Sequence, residues 1–282
     1  MRERVWLWLR ASRFLRKVYD IPFLSAPMKV FSHLLVRTDA KRMLRVRSGL
    51  AKGLIFELRL RWEIQLWEGQ YESNIQHLLE ERLKSGSVLY DVGAGFGFYS
   101  LLSARLGAYV FAFEPDVHNA ESLLRHAMLN SLESRVELTR AAVLGKCGFA
   151  QMVPAGQAEG HGSGHILKGG EPEQEMITVR STTLDDFAER KPLPDIIKID
   201  VEGAESEVLR GAEQLFKRCQ PDVICEVHDA TNASFVFDWL SSRRYLLTWI
   251  ENRAAFPRHL IAVSASQVAL NSKTESAEVS VP

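Results

Sequence analysis

The sequence predicts a doubly wound α/β domain built on a mostly parallel sheet and running from about Ser87 to Ala265. Three observations carry that expectation. Short apolar runs recur at Val88-Leu-Tyr, Tyr109-Val-Phe-Ala-Phe113, Arg135-Val-Glu-Leu-Thr139, Asp195-Ile-Ile-Lys-Ile199 and Asp222-Val-Ile-Cys225, as suits strands covered on both faces. Helical stretches separate the first three (Phe98 to Leu106, then Val117 to Asn130), and another, Glu205 to Lys217, separates the fourth from the fifth. A glycine-rich turn, Asp91-Val-Gly-Ala-Gly-Phe-Gly97, lies directly after the first run and before the first helix. With 282 residues, 46% of them hydrophobic, the chain can bury one substantial core and a small appendage. Charged residues at 25% exclude a disordered polyelectrolyte.

Along the chain, Arg4 to Lys17 reads as a basic, partly amphipathic helix that Pro22 and Pro27 interrupt. Met43 to Arg47 alternates like a strand, and Leu54 to Leu58 resumes extended structure after Gly49 and Gly53. A helix is expected over Ser73 to Lys84, where Ile75, Leu78, Leu79 and Leu83 form one stripe. Trp62 and Trp67 are expected to pack in a core or between domains. Gly156 to Gly170 is glycine-rich without apolar periodicity and is expected to be a mobile surface loop. A strand, Met176 to Arg180, and a short helix, Leu184 to Ala188, follow it. Tyr245 to Ile250 and His259 to Ser264 form a candidate antiparallel pair at the sheet edge. The expected domains are a basic N-terminal extension (1–66), the main domain (67–265) and a disordered tail (266–282).

Net charge is zero but unevenly placed. Residues 1–66 hold 15 Lys and Arg against 5 Asp and Glu, a net of +10 that the remainder offsets. The extension therefore meets something anionic or packs against the acidic body. Cys147, Cys219 and Cys225 form no CxxC pair, which suits a reducing compartment and inert thiols. Neither a spanning apolar stretch nor a signal peptide is expected.

The glycine turn carries the first chemistry. Glycines 93, 95 and 97 permit positive φ and close backbone approach to a ligand, and the helix that follows presents free N–H groups. Glu114 ends the second strand 21 residues after Gly93, where a carboxylate can accept hydrogen bonds from ribose hydroxyls. A tight turn that needs glycine for packing alone is the plainer alternative. Dinucleotide loops usually run GxGxxG and seat a pyrophosphate. This one runs GxGxG, and Asp91 before it would repel phosphate and suit a cation. The balance points to S-adenosyl-L-methionine, a sulfonium methyl donor.

These residues resemble the FkbM family of methyltransferases over about Tyr71 to His228. The resemblance rests on Asp91-Val-Gly-Ala-Gly95, Ala112-Phe-Glu-Pro115, Leu129-Asn130, Lys198-Ile-Asp-Val-Glu-Gly-Ala-Glu205, Val208-Leu-Arg-Gly-Ala212 and Glu226-Val-His228. Phe96 stands where members often carry Asn or Val. The resemblance implies a class I methyltransferase (Rossmann-like) fold, a seven-stranded sheet with an antiparallel edge strand, and O-methylation of a hydroxyl on a sugar, glycan or secondary metabolite. Residues expected to touch the cofactor are Tyr71, Asp91, Gly93, Ala94, Gly95, Gly97, Tyr99, Glu114, Pro115, Asn130, Ala141 and Asp200.

Ligands of a doubly wound sheet bind at the carboxyl ends of its strands. That edge gathers Asp200, Glu202, Glu226 and His228 as candidate catalytic residues, one of which can take the acceptor's proton. Asp200 could instead serve helix entry, His228 could be a loop residue, and Glu205 is read as a first-turn helix-dipole partner. Asp200, Glu226 and His228 are hard-ligand types, but without a further carboxylate fixed nearby no metal is assigned. His161 and His165 are ordinary loop polars or part of a lid over the acceptor. The rival readings are a nicotinamide-dependent oxidoreductase and a non-catalytic adenosylmethionine-binding or membrane-surface adaptor. The expected partner is a small-molecule or glycan acceptor and not nucleic acid. Residues 1–20 allow weak peripheral contact with anionic membrane, and a homodimer stays open. The expected location is cytoplasmic, with the inner membrane surface as a second site.

Overall fold

The structure, a computed structural model, describes residues 40–154, 165–166 and 176–265. The basic helix expected over Arg4 to Lys17, His161 and the tail from 266 lie outside the described residues. The chain divides into two compact units, Met1–Tyr71 and Glu72–Pro282.

In the first unit, β1 (Arg42–Arg45) and β2 (Ile55–Leu58) overlap the two segments expected to be extended and pair antiparallel, and helix α1 (Ile64–Glu68) follows. Phe56, Leu58 and Trp67 are buried. Gly69 closes α1 with φ of +77°, and a Cβ there would lie 1.8 Å from the Ser48 carbonyl oxygen. Only glycine lets the two segments approach so closely.

The second unit opens with α2 (Ser73–Arg82) and is built on a seven-stranded sheet. Its strands are β3 (Val88–Val92), β4 (Tyr109–Phe113), β5 (Val136–Thr139), β10 (Ile196–Ile199), β11 (Asp222–Val227), β12 (Tyr245–Trp249) and β13 (Arg258–Ser264). They lie side by side in the order β5-β4-β3-β10-β11-β13-β12. The expected antiparallel pair occupies one edge, with β13 running against both β11 and β12. Helices α3 (Phe98–Arg105) and α4 (Val117–Leu129) cross between the first three strands. Asp116 caps α4 by accepting from the His118 and Asn119 amides at 2.9 Å each. Tyr90, Phe113, Ile197, Val208 and Val223 belong to one buried core that spans the sheet.

Connections run outward from β3 on one side and from β10 on the other. The crevice between these two strands is therefore the topological switch point, where open α/β sheets place ligands.

Three elements differ from expectation. Part of the predicted mobile loop, His165–Ile166, is a strand (β8) paired with Met152–Val153. It belongs to a second sheet, β6-β9-β7-β8, with β6 (Ala142–Val143), β7 (Gly148–Val153) and β9 (Ile177–Thr182); the rest of that loop lies outside the described residues. After α5 (Leu184–Ala188), the helix expected over Glu205 to Lys217 is two, α6 (Glu205–Arg210) and α7 (Leu215–Arg218). The break falls at Gly211, where a Cβ would lie 2.2 Å from the Leu144 carbonyl oxygen, and the Asp185 carboxylate accepts from the Leu215 amide at 2.7 Å. Finally, α8 (Ala230–Ser241) fills the connection from β11 to β12, capped by Asp229, which accepts from the Asn232 amide at 2.7 Å. Among the described residues no helix is long and apolar enough to cross a membrane.

Candidate active site

The glycine turn is tied to both neighbouring strands. Gly93 has φ of +79°, and a Cβ on it would lie 1.7 Å from the Asp200 carbonyl oxygen, so glycine is required for the ends of β3 and β10 to meet. The Gly93 and Ala94 amides both donate to the Phe113 carbonyl at 3.0 Å, joining the turn to the end of β4. Gly95 differs: its φ is +55° and nothing lies within 4 Å of the position a Cβ would take, so the turn faces open space there. Glu114 supports it from behind. One carboxylate oxygen accepts from the Gly95 amide and the other from the Asp116 amide, each at 2.8 Å. Burial pushes the Glu114 carboxyl up to about 7, against the pull of those two amides.

Asp91 is fully buried beneath the turn and accepts from the Ser100 hydroxyl at 2.6 Å. Its second oxygen accepts no hydrogen bond and lies 4.0 Å from the Lys198 ammonium. Burial raises the Asp91 carboxyl, while Lys198 and Ser100 oppose the shift. Lys198 is itself buried, 3.0 Å from Asp200 and 4.8 Å above the centre of the Tyr99 ring. Desolvation works against its charge, but Asp200 and Asp91 outweigh it and hold the ammonium protonated.

At the mouth of the crevice the chain leaves β10 through Glu202 and Gly203, both with positive φ (+51° and +97°). A left-handed glutamate costs about 1–2 kcal/mol relative to glycine, and such strain gathers at functional sites. The turn brings Glu202 and Glu205 to opposite sides of His228. Nδ1 of His228 lies 2.6 Å from Glu205, Nε2 lies 3.2 Å from Glu202, and Asp200 stands 3.9 Å from that same Nε2. Burial alone would lower His228; the hydrogen bonds to Glu202 and Glu205 reverse this and lift it to about 10. For Asp200, burial works upward but Lys198 and His228 win, so the carboxyl sits below its ordinary value. Glu226 is pushed up to about 8 by burial and then by the charges of Asp200 and Glu72.

The model of the Methyltransferase FkbM domain matches residues 91–247, from the aspartate under the glycine turn to the edge strand β12. The chain belongs to the FkbM methyltransferase family. It is 27% identical over 185 residues to the hexuronic acid methyltransferase AglP of Haloferax volcanii, a match covering 65% of this chain and 72% of that protein. Among solved structures it is similar to Methyltransferase FkbM from Methylobacillus flagellatus KT (16% identity, TM-score 0.48, 87% of this chain and 60% of that one). A precorrin-6y C5,15-methyltransferase from Geobacter metallireducens GS-15 is similar at 11% identity and TM-score 0.44, over 69% of this chain and 89% of that one.

In this FkbM methyltransferase, Asp200, Glu226 and His228 come together, with one ligand-type atom of each within 4.8 Å of the others, and Glu202 joins them through His228. Gly93, Ala94, Gly95, Gly97 and Glu114 form the turn and its support, and Pro115 lies between Glu114 and the cap residue Asp116. Asn130 ends α4, and its side-chain amide donates to the His126 carbonyl at 2.8 Å. Ala141 is buried just beyond β5. Tyr71 is the last residue of the first unit. Glu205 does more than complement the helix: the same oxygen that accepts from the Gly203 amide at 2.9 Å engages His228, so it orients the imidazole. Sequence reasoning missed four side chains. Lys198 was signalled by a lysine inside an apolar strand. Glu72, Glu251 and His259 carry no motif.

Proposed function

We propose that the chain transfers the methyl group of S-adenosylmethionine to a hydroxyl of a sugar, glycan or other small alcohol. The observation that carries the donor is the Glu114 carboxylate on the Gly95 amide. The turn amide that a dinucleotide's pyrophosphate would need is already taken by an anion, and Asp91, Glu114 and Asp200 together favour a cationic donor. Glu114 would accept the ribose hydroxyls, and the open side of Gly95 leaves room for the donor to approach.

Transfer to a hydroxyl is an in-line displacement. The S–CH3 bond breaks as the O–CH3 bond forms, the sulfonium leaves as a neutral thioether, and the hydroxyl proton must go to a base. Glu202 is that base in this reading. Its side chain is 33% exposed at the mouth of the crevice, against 15% for His228 and 23% for Asp200. The imidazolium of His228, held by Glu205, fixes the Glu202 carboxylate in place.

The relative's printed name brings in a second reading, a carboxyl group of an acidic sugar as acceptor. The clustered carboxylates repel an anion and suit a neutral hydroxyl, so the first reading is preferred. Incubation with methyl-labelled donor and a panel of neutral and acidic glycans tests both. Label that survives mild alkali is an ether and is the expected result; label released by alkali is an ester and would shift the assignment to the carboxyl.

Donor binding should also depend on pH. Burial pushes the Glu114 carboxyl up to about 7, and ribose hydroxyls hydrogen-bond the ionised form. Affinity is therefore full above about 7 and falls as pH drops through it, by up to about tenfold per pH unit. Calorimetric titration from pH 5.5 to 8.5 checks this, with Glu114→Gln expected to lack the slope. A slope shared equally by both proteins would remove Glu114 as its source.

A further inference from the structure

Beside the methyl-transfer residues lies a second cluster that the reaction above does not use. Glu72 immediately precedes α2, Glu226 lies on β11, and His259 stands on β13 directly across from Glu226. One ligand-type atom of each lies within 4.8 Å of the others. His259 is 97% buried, with 3% of its surface accessible, and its Nε2 makes no hydrogen bond. That nitrogen points at two carboxylates, 3.6 Å from Glu72 Oε2 and 3.8 Å from Glu226 Oε2.

We infer that Glu72, Glu226 and His259 bind a divalent cation. The spacing is the first argument. A charge-assisted hydrogen bond draws its atoms to about 2.7–2.9 Å, as the opposite side of the same ring shows, where Nδ1 lies 2.6 Å from Glu251. Separations of 3.6 and 3.8 Å are too long for that. Ligands held about 2.0–2.2 Å from a common ion stand about 3.0–3.5 Å apart, and the three atoms need close in only slightly to reach this.

The supporting groups are the second argument. A carboxylate can only accept, so Nδ1–H of His259 donates to Glu251, which leaves the lone pair of Nε2 aimed into the cluster. Carboxylate–imidazole–metal relays have this form. Glu72 is likewise oriented, by the Tyr99 hydroxyl donating to the same oxygen that faces His259, at 2.5 Å. The neighbouring triplet of Asp200, Glu226 and His228 lacks this arrangement. Both nitrogens of His228 are already held by carboxylates, Glu205 and Glu202. Two carboxylates and one imidazole suit a first-row ion such as Mn2+. The inference needs neither the donor nor the acceptor to be as proposed above.

Direct binding of Mn2+ to the full-length, chelator-treated protein is the test, by calorimetry and by pulsed electron paramagnetic resonance. One ion per chain is expected, with a nitrogen coupling from a bound imidazole. His259→Gln should remove that coupling, and Glu72→Gln should weaken binding at least about tenfold, while His228→Gln keeps both coupling and affinity within about threefold. Circular dichroism checks folding; if His259→Gln fails to fold, the Glu72→Gln and His228→Gln pair carries the decision. Absence of binding at millimolar Mn2+ overturns the inference. So does loss of the coupling in His228→Gln with Glu72→Gln unaffected.

Discussion

Glu114→Ala is expected to weaken S-adenosylmethionine binding about 100-fold while the protein stays folded. A carboxylate that accepts from both hydroxyls of a ribose makes two charge-assisted hydrogen bonds, each worth about 1.5–3 kcal/mol. Losing about 3 kcal/mol corresponds to roughly a hundredfold in affinity. The substitution also frees the Gly95 and Asp116 amides that Glu114 engages at 2.8 Å, which should cost about 1–2 kcal/mol of stability. A second variant separates the two effects. Glu114→Gln keeps the size of the side chain and one acceptor, so one of the two backbone amides stays satisfied while the charge and the second contact are lost. Its donor affinity is expected to fall about tenfold, with a smaller drop in melting temperature than the alanine variant shows. Calorimetry for the donor and circular dichroism for the melt give both readouts. Unchanged donor affinity in a folded Glu114→Ala protein would overturn the placement of the ribose and weaken the donor assignment itself.

The parts of this fold legible in the sequence are those whose residues answer to local rules. Strands buried on both faces are mostly apolar, so β3, β4, β10 and β11 stand out as short apolar runs around a few buried charges such as Asp91 and Lys198. The glycine turn shows itself because Gly93 cannot be replaced without collision with the Asp200 carbonyl. What escaped is set by distant partners. β7 carries an exposed Phe149 and pairs with strands on either side of a long insertion, so its own residues give no signal. In the opening of α8, Ala-Thr-Asn-Ala-Ser, three of five residues (Thr231, Asn232 and Ser234) are weak helix formers, and the Asp229 cap is a local cue to the helix start. In the site, Asp200, Glu202, Glu226 and His228 sit in compact motifs at strand ends and could be gathered by topology. Glu72 and His259 meet only because β13 inserts beside β11, a pairing that no spacing along the chain reveals.

Glu202→Gln is expected to lower turnover about 10²–10³-fold on the true acceptor while donor affinity stays within about threefold. A placed base contributes about 10²–10⁴ in rate, and the amide retains the shape of the carboxylate but cannot take a proton. The split between turnover and donor affinity matters because Glu202 lies in the turn after β10, away from Glu114, the proposed partner of the ribose. Glycine at the same position sharpens the argument. Glu202 holds φ of +51°, a conformation glycine adopts without cost, so Glu202→Gly relieves about 1 kcal/mol of strain while giving up the contact with the His228 imidazolium, and its stability should match or exceed that of Glu202→Gln, which loses the same charge without the relief. A residue kept for structure would lose stability when replaced by the wrong side chain and gain activity, or leave it untouched, when strain is relieved. A residue kept for chemistry shows the opposite: the relaxed glycine variant melts no lower and turns over no better than Glu202→Gln. Single-turnover assays with labelled donor, set beside thermal melts of the two variants, read both axes at once. Near-normal turnover in either variant would return Glu202 to a purely structural place in the turn and leave the proton to another of the clustered groups.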